Sequence, residues 1–170
     1  MPKRPSITTL IDLHSAEIFA YLCRLIQDIR DAEDCLQETF LQALRAYPRL
    51  KHDTNLRAWL FRIATNQAYT QLRKRNRLSQ EIADLDNRIH SANVEIEPSI
   101  ERKELLSSIS RAVSSLPHKQ GAALLMRKYQ HLSYAEIADA LNCSQESARS
   151  SVYQALKKLR AQYNQETVYE

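Results

Sequence analysis

A single glycine, Gly121, occurs in the 170 residues of this chain. Globular proteins contain about 7% glycine on average, and tight β-hairpin turns depend on residues that accept a positive φ. Antiparallel sheet is therefore disfavoured, and we expect an all-α protein. The hydrophobic content of 44% is enough for one domain or for two small ones, each with a modest core.

The cysteine and glycine patterns give no indication of catalysis or metal binding. Cys23, Cys35 and Cys143 are odd in number and lack C-x-x-C spacing, which argues against disulfides or a zinc site and fits a reducing compartment. Because no nucleophile elbow, phosphate-binding glycine loop or metal-ligand spacing is present, we expect no enzyme, cofactor or metal. Neither a signal peptide nor an apolar run of about 18 residues occurs, so we expect a cytoplasmic protein without membrane insertion.

Charge is distributed unevenly along the chain. Residues 1–78 carry 13 basic and 8 acidic side chains, residues 79–104 carry 3 and 7, and residues 105–170 carry 8 and 5. Two basic blocks joined by an acidic connector suggest two nucleic-acid-facing modules, held apart by a segment that does not itself lie on DNA. The connector, 79–99, is rich in Glu, Asp and Asn and contains Pro98, so we interpret it as a largely flexible linker.

The stretch 132–160 indicates two helices around a sharp turn. It reads LSYAEIADALNCSQESARSSVYQALKKLR. Ser133 and Glu136 form a capping box, which predicts that a helix starts directly after the serine. Asn142 can adopt the left-handed conformation that ends a helix, and Ser144 can cap the next one. The pattern favours a DNA-binding helix-turn-helix, with an ordinary helical hairpin as the alternative.

The second of these helices has a polar face that suits DNA. Its apolar positions recur at spacings of three and four, at Ala148, Val152, Leu156 and Leu159. The side chains that this leaves outward can contact bases and phosphates. They are Gln145, Glu146, Arg149, Ser150, Tyr153 and Lys157.

The N-terminal half begins with one or two apolar helices in which no functional residue is evident. The next helix has two distinct faces. Asp31 is predicted to cap it and Pro48 to end it, and its apolar positions recur without a miss at Ala32, Cys35, Leu36, Thr39, Phe40, Ala43, Leu44 and Tyr47. The opposite face carries an exposed leucine among acidic groups, which suits docking on a basic helical partner. This acidic strip consists of Asp34, Gln37, Glu38 and Leu41, with Arg45 at its end. A solvated face and a shared metal ion are the alternatives.

A third helix is predicted from Ala58 to Arg77, capped by Thr54 or Asn55 after a polar loop. One of its faces is polar and can follow a phosphate backbone. That face carries Arg62, Asn66, Thr70 and Arg73, and it ends in the basic run Arg73, Lys74, Arg75 and Arg77. Unpaired bases stack on aromatic rings beside guanidinium groups, and the candidate rings are Trp59, Phe61 and Tyr69. Burial in the core is the alternative for each ring.

Three segments in this order resemble the extracytoplasmic-function subfamily of bacterial sigma factors. They are DAEDCLQETFLQALRAYPRL, LRAWLFRIATNQAYTQLRKR and LPHKQGAALLMRKYQHLSYAEIADALNCSQESARSSVYQALKKLR. Sigma factors of this kind keep only sigma domains two and four, joined by a linker. The resemblance therefore implies two small helical domains, with domain two at 1–78, the acidic linker at 79–100 and domain four at 101–170.

The resemblance also implies partners and roles. The partners are promoter DNA and RNA polymerase core, through its β′ clamp helices and its β flap, and an anti-sigma factor is left open. The acidic strip corresponds to the surface that docks on the clamp helices. The loop 50–55 corresponds to one that captures a flipped base of the promoter element near the start site, here called the near element. The residues expected to contact it are Lys51, His52, Asn55, Arg62, Asn66, Tyr69, Arg73, Lys74, Arg75 and Arg77.

The recognition helix of domain four corresponds to one that reads a more distant element, but here it departs from the family. Ser151, Gln154 and Leu156 stand where basic residues are common, and Glu146 stands where glycine is common. A carboxylate at a helix N-terminus takes the place of a phosphate, so we expect domain two to bear more of the promoter contact. Two rivals are an operator-binding regulator that binds duplex DNA alone as a dimer, and a sigma-like protein with reduced promoter reading.

Overall fold

The computed structural model of the chain describes residues 3–85 and 111–166. An N-terminal bundle consists of α1 (Ile7–Ile26), α2 (Ile29–Ala46) and α3 (Leu56–Leu85), with a short 3-10 turn (Tyr47–Arg49) after α2. A C-terminal bundle consists of α4 (His118–Lys128), α5 (Tyr134–Leu141) and α6 (Gln145–Glu166). The described residues contain no strand, which confirms the all-α prediction. Within the same residues, no helix has the length and apolar character that crossing a membrane requires.

Helix α2 begins earlier than the sequence predicted. Asp31 was expected to cap it, but the helix starts at Ile29, and the Asp28 carboxylate caps it by accepting a hydrogen bond from the Asp31 amide at 2.9 Å. Gln27 has a φ of 60° and ends α1, so Asp28 is the first carboxylate after the reversal of the chain. Asp31 therefore lies inside the first turn, where its side chain accepts hydrogen bonds from α3.

Helix α3 is longer than predicted. Asn55 caps it, because its side-chain oxygen accepts a hydrogen bond from the Ala58 amide at 3.0 Å. The helix was expected to end at Arg77 but continues to Leu85. Residues 78–85 contain no glycine or proline and consist largely of good helix formers, so nothing in them ends the helix. The first part of the expected flexible linker is thus helical, and its remainder lies outside the described residues.

The core of the N-terminal bundle is centred on Tyr21 of α1 and Phe61 of α3, both fully buried. Their rings meet edge-on with centroids 5.2 Å apart, and the hydroxyls of Tyr21 and Thr65 lie 2.8 Å apart, which satisfies both buried polar groups. Phe61, one of the three rings considered for base stacking, is therefore a core residue. Trp59 is half-buried beside Tyr47, with ring centroids 6.3 Å apart.

The helix-turn-helix has the predicted caps. The Ser133 hydroxyl accepts a hydrogen bond from the Glu136 amide at 3.1 Å, and the Glu136 carboxylate accepts one from the Ser133 amide at 2.8 Å. Asn142 has a φ of 53°, and the Ser144 hydroxyl accepts a hydrogen bond from the Ser147 amide at 3.1 Å. A three-residue turn therefore joins α5 and α6, as the sequence indicated.

The two bundles lie against each other. Helix α3 contacts α5, and α1 contacts α4. Arg57 of α3 links the bundles, because it donates hydrogen bonds to the Glu17 carboxylate at 2.8 Å and to the Gln130 carbonyl at 2.6 Å. The charge pattern predicted two modules held apart, and this contact between them corrects that expectation.

Candidate polymerase and nucleic-acid interfaces

The acidic strip lies on the outer face of α2. Asp34, Gln37 and Leu41 are exposed, and Glu38 is partly buried. Leu44 is also exposed, at 52%, although it was predicted to face the core. Three positions separate it from Leu41, and such a spacing places two side chains on the same side of a helix. The apolar centre of the strip is thus a pair of leucines, and the sequence pattern missed the second of them.

The thiol on the inner face of α2 shows no sign of reactivity. Cys35 is buried, and burial, together with the charges of Asp31 and Asp34, raises the pKa of its thiol to about 11. A protonated thiol is a poor nucleophile and a poor metal ligand. Among residues 3–85 and 111–166, no three His, Cys, Asp or Glu side chains come together in a way that could hold a metal ion.

The loop before α3 borders a cavity of about 280 Å³. Lys51, His52 and Asn55 are exposed on this loop. The cavity is lined by Asp53, Thr54, Asn55, Trp59 and Arg62 of the N-terminal bundle, and by Asp139 of the C-terminal bundle. A concave site with polar walls and one large aromatic ring has the chemistry needed to hold an extruded base.

The polar face of α3 is in contact with the C-terminal bundle. Arg62 donates hydrogen bonds to the Asp139 carbonyl at 3.1 Å and to the Asn142 side-chain oxygen at 3.4 Å. The Tyr69 hydroxyl donates to the His118 carbonyl at 2.6 Å, and the rings of these two residues lie 4.8 Å apart. Burial raises the pKa of Tyr69 well above its ordinary value, so the hydroxyl keeps the proton that it donates.

The basic run at the end of this face divides into two kinds of residue. Arg75 donates hydrogen bonds to the Ile26 carbonyl at 2.7 Å and to the Asp31 carboxylate at 3.4 Å. It thereby satisfies a carbonyl at the end of α1 and ties α3 to its neighbours. These bonds give Arg75 a structural role within the bundle, and its expected contact with DNA stays a prediction. The exposed members of the face are Asn66, Arg73, Lys74 and Arg77.

Helix α6 presents the expected polar face to solvent. Gln145, Glu146, Arg149, Ser150, Tyr153 and Lys157 are all exposed. Ser151, in contrast, is only 8% exposed and donates a hydrogen bond to the Ser147 carbonyl at 2.8 Å, and Leu156 is partly buried. Two of the three positions that lack an expected basic residue therefore face the core. The loss of positive charge from the exposed face of α6 is smaller than the sequence suggested, and Glu146 is the main departure.

Both bundles match known families. Residues 10–78 match the family described as Sigma-70 region 2, and residues 106–159 match the one described as Sigma-70, region 4. The RNA polymerase sigma-H factor of Pseudomonas aeruginosa is 29% identical over 154 residues, which cover 86% of this chain and 80% of that protein. The extracytoplasmic-function RNA polymerase sigma-E factor of Salmonella typhimurium is 30% identical over 135 residues, which cover 74% of this chain and 70% of that protein.

Solved structures share the fold. The sigma factor RpoE of Bartonella quintana, in complex with the anti-sigma factor NepR, gives a TM-score of 0.73 at 26% identity and covers 91% of this chain and 94% of its own. CnrH, in complex with the cytosolic domain of CnrY, gives a TM-score of 0.70 at 20% identity, with 93% and 87% covered. Because both sigma regions match in order, this chain belongs to the extracytoplasmic-function subfamily of RNA polymerase sigma factors, which bind the polymerase and direct it to promoters.

Proposed function

We propose that the chain divides the work of a sigma factor among three surfaces. Residues 1–78 act as domain two, which binds polymerase through the acidic strip and the near element through α3 and the loop before it. Residues 101–170 act as domain four, which reads the distant element through α6, and residues 79–100 link the two. The protein supplies binding surfaces and no catalytic group, and it works beside the polymerase in the cytoplasm.

The leucine pair within the acidic strip is the observation that carries the polymerase-binding part. Leu41 is 46% exposed and Leu44 is 52% exposed, and an apolar centre with a charged rim is typical of docking surfaces. Asp34 and Glu38 would meet basic side chains of the β′ clamp helices, which favours association and sets the orientation of the two partners. Gln37 lies beside them and adds a neutral hydrogen-bonding group.

Contact with the near element rests on the cavity and on the exposed cations. Trp59 offers a ring for stacking, and Arg62 and Asn55 offer hydrogen bonds at the cavity wall, so a base extruded from the non-template strand could be read by shape and polar contacts. The remaining groups would bind the phosphates and sugars of a single strand. They are Lys51, His52, Asn66, Tyr69, Arg73, Lys74 and Arg77.

Contact with the distant element rests on the exposed face of α6. Arg149, Tyr153 and Lys157 recur every four residues and so form one edge of a helix that can enter the major groove. Gln145 and Ser150 add neutral hydrogen-bonding groups on the same face. Glu146 lies in the first turn, where its charge opposes a phosphate and lowers affinity. Domain two therefore bears the larger share of promoter contact.

An anti-sigma factor is a further proposed partner. The RpoE structure was solved with such a protein, and the likeness of this chain to RpoE over most of its length favours the same kind of regulation here. A partner of this class would compete with polymerase for the surfaces described above.

A gel shift with genomic fragments, with and without core polymerase, tests the proposal against its rivals. We expect specific, open-complex-forming retardation only when the chain and the core are combined. An operator-binding regulator would instead shift duplex DNA alone, as a dimer. A protein with reduced promoter reading would join the core without giving the complex any preference among fragments.

A further inference from the structure

Residues 3–6, here called the N-terminal strap, are bonded to the chain immediately before the loop 50–55. The Arg4 guanidinium donates a hydrogen bond to the Leu50 carbonyl at 3.0 Å. The Tyr47 hydroxyl donates one to the Pro5 carbonyl. The strap ends at Ser6, which caps α1 by accepting a hydrogen bond from the Thr9 amide at 3.1 Å. The strap is therefore anchored to α1 at one end and to the start of the loop along its length.

Three side chains lead from the strap to the cavity beside the loop. The Arg4 guanidinium carbon lies 4.0 Å from the centre of the Tyr47 ring, which is a cation–π contact. The Tyr47 ring lies beside that of Trp59, with centroids 6.3 Å apart, a separation at which aromatic rings attract each other. Trp59 lines the cavity of about 280 Å³. Arg4 is thus connected to a wall of the cavity, although it does not itself line it.

Arg4 also fixes the direction in which the loop leaves the 3-10 turn. Leu50 is extended, with a φ of −74° and a ψ of 140°. Its amide donates a hydrogen bond to the Tyr47 carbonyl at 3.2 Å, and its carbonyl accepts the one from Arg4. At the other end of the loop, Asn55 caps α3. Both ends of the loop are therefore held by side chains, one of which comes from the strap.

The loop needs such support because it has no apolar anchor of its own. Residues 51–55 read KHDTN and are all polar, so none of them can hold the loop by burial in the core. A cavity that distinguishes bases by shape and polar contacts must keep its walls within about 0.5 Å of the required positions. For this loop, that accuracy has to come from neighbouring residues outside it.

We propose that Arg4 is a positioning residue for base selection, and that the N-terminal strap sets the shape of the cavity through the Tyr47 ring and the Leu50 carbonyl. The inference rests on the proposed role of this cavity in reading the near element. Arg4 is partly buried against these two residues and acts through them without touching DNA. Its loss should therefore alter the choice of base at one promoter position and leave the other promoter contacts in place.

The single tryptophan of the chain, Trp59, reports the state of the cavity wall. Its emission maximum and its quenching by acrylamide are compared in the full-length wild type and in Arg4→Ala, where we expect a shift to longer wavelength and stronger quenching. The matched control is Lys3→Ala, which removes one positive charge at the neighbouring, exposed position and should behave as the wild type. Arg4→Lys should lie between them, because an ammonium keeps the charge over the ring but lacks the planar guanidinium.

Base selection is measured with the holoenzyme on a pool of promoter fragments. The pool derives from a genomic fragment that the holoenzyme retains, with the near element randomised, and the bound fragments are sequenced. We expect Arg4→Ala to lower the preference for the favoured base by about 3- to 10-fold at one position, a factor that corresponds to weakening about one hydrogen bond. Preferences at the other positions should be unchanged, whereas a loss of stability alone would lower binding of all fragments equally.

The variant Trp59→Leu, which removes a cavity wall, separates this inference from the proposed function. If Trp59→Leu lowers the preference at one position and Arg4→Ala does not, the cavity reads a base but Arg4 does not position it, and the inference is wrong. If neither variant changes any preference, the proposed base cavity is wrong and the inference fails with it. Unchanged Trp59 emission and quenching in Arg4→Ala would also overturn the inference. Circular dichroism checks folding, and Arg4→Lys takes the place of Arg4→Ala if the latter is not folded.

Discussion

The two surfaces assigned to DNA differ in their exposure to solvent in the free chain. The polar face of α6 is open, with Tyr153 62% exposed. The polar face of α3 is partly covered, because Arg62 and Tyr69 are bonded to the other bundle. Both faces are basic and both lie on amphipathic helices, so helix periodicity describes them equally well. The difference shows that a cationic face is available to a ligand only if no other part of the same chain satisfies it.

Reversing the charge of the acidic strip should have the largest effect. Asp34→Lys/Glu38→Lys would place cations against the basic clamp helices, and like charges at an interface cost several kcal/mol, so we expect core binding to weaken by about 100-fold or more. The circular dichroism spectrum should stay unchanged, because the strip lies on the outer face of α2. Pull-down with core polymerase and titration of the holoenzyme measure the loss.

The control for this experiment is Asp12→Lys/Glu81→Lys, which changes the net charge by the same amount at two other exposed positions. It should bind core normally. If the control loses binding as strongly as the strip variant, the effect is one of overall charge, and the strip is not the docking surface.

Neutralising the exposed part of the basic run tests the covered face in the holoenzyme. Arg73→Ala/Lys74→Ala/Arg77→Ala should reduce the dependence of promoter affinity on salt, by about 0.7 per lost phosphate contact on a single strand and about 0.9 on a duplex. The measurement is promoter binding by the holoenzyme across a series of salt concentrations. An unaltered slope would mean that these three side chains form only a solvated helix end.

Removing one cation from the exposed face of α6 should have a smaller effect. Arg149→Ala should weaken binding to duplex promoter DNA by about 1 kcal/mol if the side chain contacts a phosphate, and by up to about 3 if it pairs with a guanine. Because the face is already exposed, the loss should appear without any change in the fold, which circular dichroism checks. Unchanged binding to duplex promoter DNA would contradict the assignment of this face to the distant element.

Arg75 and Arg73 form a matched pair that separates structure from DNA contact. Arg75→Ala removes hydrogen bonds to the Ile26 carbonyl and to Asp31, which should lower the free energy of unfolding by about 1–2 kcal/mol. Arg73→Ala should lie within about 0.5 kcal/mol of the wild type, since that side chain is exposed. Urea unfolding measures the stability of both variants. Equal stabilities would mean that the hydrogen bonds of Arg75 do not stabilise the bundle.

The smallest expected effect is a gain in stability at the single glycine. Gly121 lies inside α4, and a Cβ built there would be 3.6 Å from the nearest atom, the Val113 carbonyl oxygen, which is an ordinary contact. Gly121→Ala should therefore stabilise the C-terminal bundle by about 0.5–1 kcal/mol through helix propensity. Thermal unfolding measures the gain, and a destabilised variant would show that α4 packs more tightly than this distance indicates.

Features that depend on neighbours in sequence could be predicted, and those that depend on distant partners could not. The capping box of Ser133 and Glu136, the left-handed Asn142 and the outward face of α6 all follow from local spacing, and the structure has each of them. The burial of Phe61 could not be read from α3 alone, because it depends on Tyr21 packing against it from another helix.

The same limit applies to charged and polar residues. The members of the basic run are alike in charge, and the Ile26 carbonyl and the Asp31 carboxylate, which accept hydrogen bonds from Arg75, set it apart from its neighbours. Likewise, nothing near Tyr69 in sequence shows that His118 will accept its hydrogen bond. The acidic composition after Arg77 indicated a flexible linker, although Glu, Gln, Ala and Leu are good helix formers and the helix continues to Leu85.

Tyr69 lies on the polar face of α3 and Tyr153 on that of α6, so a single oxidation experiment can compare the two faces. Hydroxyl-radical oxidation followed by mass spectrometry reports the solvent access of each ring in the free chain, in the holoenzyme and in the promoter complex. We expect Tyr153 to react much faster than Tyr69 in the free chain, and promoter DNA to protect Tyr153 in the holoenzyme. Equal reactivity of the two tyrosines in the free chain, or a Tyr153 signal that promoter DNA does not lower, would contradict the central claim that the face of α6 is exposed and binds DNA while the face of α3 is partly covered.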